Sequence, residues 1–107
     1  MQVFYHLVYE YQKGLRDLCL FTCQNEHLGK IEKTLERQNI KCLIYPVENN
    51  KINVFFGMDT CLNIVKQFSY EELNKLSVEE DFILGMMLGY GKVQQYERFL
   101  VRKAICA

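Results

Sequence analysis

Residues 42–56 read CLIYPVENNKINVFF, and the reading of this stretch decides the fold. Two runs of strand-forming residues, 42–47 and 52–56, flank Glu48-Asn49-Asn50-Lys51. Asparagine enters the left-handed backbone region at little cost, and a tight hairpin turn needs that region. The stretch therefore predicts an antiparallel hairpin. Pro46, the sole proline, has no N–H to give to a ladder and belongs on an edge strand or at a strand end.

On the N-terminal side, Asn25 is placed to cap a helix running to about Gln38, with Leu28, Ile31 and Leu35 inward and Asn39 as its stop. Residues 17–23, DLCLFTC, read as a strand. Residues 3–11, VFYHLVYEY, fit two templates. Val3, Tyr5, Leu7, Tyr9 and Tyr11 alternate as on a strand, while Phe4, Leu7, Val8 and Tyr11 have helical spacing. The Lys13-Gly14 pair before a further apolar run favours a first β-hairpin, with Gly14 supplying the positive φ.

Beyond residue 57 the pattern is helical. Asp59 can cap a helix bearing Cys61, Ile64, Val65 and Phe68, and both Ser69/Glu72 and Ser77/Glu80 have capping-box spacing. A last helix over 92–104 would turn Val93, Tyr96 and Leu100 inward. The order β-hairpin, helix, β-hairpin, helices predicts one α+β domain over residues 1–107. Its antiparallel sheet has three to four strands, with the C-terminal helices packed on one face. The strand count turns on residues 3–11.

The chain has 107 residues, half of them apolar, with seven Tyr and seven Phe, enough for a core without metal or disulfide staples. Thirteen basic and thirteen acidic residues leave no net charge. Nucleic-acid binding usually needs a basic excess to displace phosphate counterions, and a membrane surface attracts cationic segments, so neither partner is expected. The opening MQVFYHLVYEYQKG lacks the charged and apolar regions of a signal peptide. Five irregularly spaced cysteines do not form a secreted disulfide framework. A cytoplasmic location with reduced thiols is expected.

Three constellations invite a chemical reading. Cys19-x3-Cys23-x3-His27 has metal-like residue types, but cysteines four apart on a strand lie about 13 Å apart and cannot share one ion. No metal site is expected. His6 and His27 stand in no nucleophile motif, so no catalytic residue is assigned. Gly85-x3-Gly89-x-Gly91 departs from the dinucleotide fingerprint and reads as close helix contact plus a helix stop, with no cofactor implied.

More informative is the helix that follows Ser77. Phe82, Ile83, Leu84, Met86, Met87 and Leu88 put apolar groups on nearly every side of it. A small domain has little room to enclose such a helix, so Phe82, Met86 and Met87 are candidate contacts of a homodimer or another partner, the alternative being a central core helix wrapped by its neighbours. Charge is also polarised: residues 71–81 are acidic, and residues 92–103 carry Lys92, Arg98, Arg102 and Lys103.

The segments EEDFILGMMLGYGKVQQYERFL (79–100), HLVYEYQKGLR (6–16) and INVFFG (52–57) resemble a family of small uncharacterised bacterial proteins, a domain of unknown function. The resemblance covers most of the chain. It implies an α+β fold, a dimer, and genes placed beside flavodoxin genes, and it carries no catalytic residues. The leading expectation is a non-enzymatic, homodimeric interaction module associated with flavodoxin or another redox protein. Lys92, Arg98, Arg102 and Lys103 would be its docking face toward an acidic partner. The alternative is a small-molecule or cofactor-binding protein, or an enzyme. Its pocket would lie between sheet and C-terminal helices, with Tyr90, Gln94, Gln95 and Arg98 as polar groups.

Overall fold

The computed structural model describes residues 1–106, with the side chain of Cys106 left aside. Five helices surround a three-stranded antiparallel sheet of order β1-β3-β2. The strands are β1 (Leu18–Gln24), β2 (Lys41–Val47) and β3 (Lys51–Gly57). The helices are α1 (Gln2–Gln12), α2 (Leu28–Arg37), α3 (Asp59–Lys66), α4 (Val78–Met87) and α5 (Lys92–Cys106). The α+β expectation holds, with three strands. Among the described residues no helix is long and apolar enough to cross a membrane.

The hairpin at 42–56 forms as its turn chemistry requires. Asn49 and Asn50 both take left-handed φ, 61° and 57°, and Lys51 N–H closes the turn on Glu48 O at 3.4 Å. Pro46 sits on β2, an edge strand, opposite Ile52. The central strand β3 is buried along nearly its whole length.

Each face of the sheet has its own core. On one face Cys19, Ile52, Val54 and Phe56 meet Phe4 and Val8 of α1 and Ile31 and Leu35 of α2. On the other, Leu18 and Phe55 meet Cys61, Leu62 and Val65 of α3, Leu76, and Leu84 and Leu88 of α4. Of the C-terminal helices, α3 and α4 do pack on one face, as expected, and α5 lies against α4. The opposite face is covered by the N-terminal helices.

That arrangement corrects the reading of residues 3–11. They are helical, and Phe4 and Val8 are the side chains they bury. Lys13-Gly14 ends this helix where a hairpin was expected. Gly14 at φ 77° lets its own N–H reach Tyr11 O at 3.0 Å, and Leu15 N–H reach Glu10 O at 2.9 Å. These are the paired bonds of a left-handed helix stop, which use the same glycine freedom as a hairpin turn. Asn39 (φ 57°) ends α2 with the same pair of bonds, to Glu36 O and Leu35 O.

Helix starts follow the sequence less closely. Asn25 opens a single 3-10 turn (Asn25–His27) without a side-chain cap, and α2 begins only at Leu28. Asp59 is the first residue of α3, not its cap, and its carboxylate pairs with Lys41 at 3.2 Å. Ser69 starts no helix; its N–H goes to Glu80 Oε2 at 2.8 Å. Only a 3-10 turn, Leu73–Lys75, follows before Ser77. Ser77 is the cap that forms in full, with Glu80 N–H on its hydroxyl at 3.0 Å and its own N–H on Glu80 Oε1 at 2.9 Å.

Candidate functional site

The α4–α5 hairpin gathers most of the residues singled out above. Ser77 and Glu80 start α4, and Gly89 (φ 80°) stops it, with its N–H on Met86 O and Tyr90 N–H on Gly85 O. The chain then reverses into α5, which runs back along α4. Arg16 steadies this corner from beyond the sheet, donating to Leu88 O at 3.1 Å and to Glu10 at 3.1 Å.

The polarised charge resolves within the hairpin. Arg98 grips Asp81 with Nε at 2.8 Å and Nη2 at 3.1 Å, and Arg102 Nη1 adds a third contact at 2.9 Å. Lys103 pairs with Glu79. The Arg98 hydrogen bond, then the charges of Arg98 and Arg102, hold the Asp81 carboxyl below its ordinary range. Of the four cations read as a docking face, Arg98, Arg102 and Lys103 thus clasp α5 to α4. Lys92 lies exposed at the start of α5.

Beside the clasp, Phe82 meets the ring of Phe99 edge-on at 5.3 Å and stacks on Tyr96 at 6.2 Å. Most of the apolar side chains of α4 therefore have partners inside the chain, while Ile83 stays 40 % exposed. Leu84 and Leu88 face the sheet core, Phe82 faces α5, and Met87 is partly buried against the core. Met86 is half-buried.

This orientation corrects the reading of α5. Val93, Tyr96 and Leu100 were expected inward. Val93 and Leu100 point outward, 64 % and 66 % exposed, with Val101 beside them at 60 %, and Tyr96 lies at the edge of this side with one part of its ring on Phe82. The ionic side of α5 is the side that α4 binds. An apolar stripe at i, i+3, i+7 and i+8 is left facing solvent.

Between β1, the Leu73–Lys75 turn, α4 and α5 lies a cleft of about 420 Å³. Leucines 20, 73, 76, 84 and 88 form its apolar wall, and Asn74, Asp81, Tyr90, Gln95 and Arg98 its polar groups. Three of the four pocket residues read from the sequence, Tyr90, Gln95 and Arg98, meet here. Gln94 does not line it; its amide lies beside Gly91. Leu20 and Asp81 carry no local sign of this role, since distant packing brings them in.

Gln95 is the unusual member. It is only 8 % exposed, and its carboxamide bonds to no described residue. Its side chain lies against Gly85, where a side-chain carbon would come within 2.2 Å of Gln95 Oε1. Gly85 thus admits a neighbouring side chain, where close approach of another helix backbone was expected.

A wider groove of about 510 Å³ runs along the β2 edge between α2 and α3. Its polar lining is solvated or already paired, as Lys41 is with Asp59. The histidines and cysteines do not converge. Cys19 and Cys23 lie along β1, and Cys19 is buried with its thiol directed at Leu7 O, while His27 lies in the following 3-10 turn. Among the described residues no group of three or more His, Cys, Asp or Glu stands together to hold a metal ion.

A family model described as "Protein of unknown function (DUF2023)" matches residues 2–102. No curated protein matches the chain.

Proposed function

The chain belongs to that family of unknown function, and from this premise we propose that it works as a homodimeric interaction module whose contact surface is the outer side of α5. The observation that carries the reading is the outward apolar stripe Val93, Tyr96, Leu100 and Val101. A helix normally buries its apolar side in its own domain; this one spends its ionic side on α4 instead. Contiguous exposed apolar surface marks an association site. A neutral apolar stripe is complementary to itself, as an interface about a twofold axis requires.

An acidic partner such as flavodoxin would compete with Asp81 and Glu79 for Arg98, Arg102 and Lys103. Self-association therefore stands first in this reading. The setting it implies is the cytoplasm, where thiols stay reduced; the four described cysteines are unpaired, which supports that setting.

Sedimentation velocity over a range of protein concentrations tests the proposal. The wild-type chain is expected to sediment as a dimer, and Leu100→Glu as a monomer with unchanged helix content. A wild-type chain that stays monomeric at every concentration would overturn it.

A further inference from the structure

The cleft beside Gln95 supports an inference separate from dimerisation. We infer that it binds a small, planar, uncharged heterocycle presenting a hydrogen-bond donor next to an acceptor, and that Gln95 reads that edge.

Buried carboxamides almost always have partners, because dehydrating one without replacing its hydrogen bonds is costly. Gln95 has none among the described residues, although it is only 8 % exposed. Its polar atoms are not sealed off, since Gln95 lines the cleft. The position is built for it. Gly85 removes the side chain that would collide with Oε1, so α4 has a gap where the carboxamide lies.

The surrounding wall narrows the ligand class. A volume of about 420 Å³ falls in the range of small-molecule pockets. The leucine wall takes an apolar face. Arg98, the cation of the wall, already has Nε and Nη2 on Asp81, so an anion would have to displace that carboxylate. An uncharged ligand leaves the clasp intact. A carboxamide offers an acceptor and donors in one plane, and it pairs at two points with an edge that alternates donor and acceptor, as nucleobases and lactams do. Tyr90, half-exposed at the end of α4, stands among the lining residues as a ring able to cover a planar ligand.

The test uses the full chain, labelled with nitrogen-15, and titrates adenine, uracil and 2-pyridone, with toluene as an apolar control. Gln95→Leu identifies the Gln95 side-chain amide signals and serves as the variant. At least one of the three heterocycles is expected to shift those signals saturably. In Gln95→Leu its binding weakens by about tenfold or more. The melting temperature of that variant is expected to hold, because the substitution removes no hydrogen bond to a described residue. Four results would each overturn the inference: no shift from any heterocycle into the millimolar range, toluene binding as tightly as the best of them, unaltered binding in the variant, or a lowered melting temperature that makes Gln95 a structural residue.

Discussion

Asp81 holds Arg98 by two hydrogen bonds, 2.8 and 3.1 Å, across two helices joined by a short turn. This pair, with Arg102 alongside, decides which side of α5 faces inward. The sequence shows acidic residues 79–81 and basic residues 98–103 as separate blocks. Folded, Glu79 and Asp81 of the first meet Arg98, Arg102 and Lys103 of the second.

The clasp gives a pH dependence of definite sign. The Asp81 carboxyl is held below its ordinary range, chiefly by the Arg98 hydrogen bond. Its stabilisation is therefore complete above the unfolded value of about 3.9 and is lost as pH falls through the lower folded value. Asp81→Asn is expected to cost about 1 kcal/mol at neutral pH, since the pair is partly solvated. Urea unfolding of both proteins across pH should show the gap closing below about pH 4; a gap that persists into strong acid would refute this origin.

Ser77→Ala removes the cap of α4 and is expected to cost about 1 kcal/mol, read as a fall of several degrees in melting temperature. Ser69→Ala should change little, because Glu80 binds the Ser69 backbone N–H, which the substitution keeps.

Phe4→Ala separates a helical N-terminus from a strand. Phe4 is fully buried, with its ring 5.6 Å from Phe21 and 5.5 Å from Phe56, and truncation should cost about 3–5 kcal/mol. Tyr9, which a strand would place on the buried face, is 54 % exposed. Tyr9→Ala is expected to stay within about 0.5 kcal/mol of wild type by denaturant unfolding.

Cys19 should resist alkylation in the folded protein. Burial pushes its thiol from 9.0 to about 11, and the thiolate is the reacting form. Mass spectrometry after brief iodoacetamide treatment at pH 8 should find Cys19 unlabelled until denaturant is added. Rapid native labelling would contradict the burial.

Turn chemistry made the 42–56 hairpin legible, because Asn49 and Asn50 supply their left-handed geometry locally. The N-terminus was ambiguous for the same reason. A left-handed Gly14 suits a hairpin turn or a helix stop, and what chooses between them is Phe4 packing on Phe21 and Phe56, far along the chain. The apolar stripe of α5 was also legible as a stripe. Its direction was not, since that depends on Asp81 and Phe82 lying opposite. Tyr90, Gln95 and Arg98 were found as polar groups near the C-terminal helices; the unpartnered state of Gln95 emerges only from the packing.

The strand order β1-β3-β2 also bears on the life of the nascent chain. The middle strand is the last of the three to be made, so β1 has no sheet partner until Lys51–Gly57 has left the ribosome. Until then α1 and α2 have no sheet to lie against, and their apolar sides remain open to solvent or to chaperones. A single late segment therefore closes both halves of the molecule at once, and synthesis that stalls before residue 51 would release a fragment with helices but no sheet to fold upon.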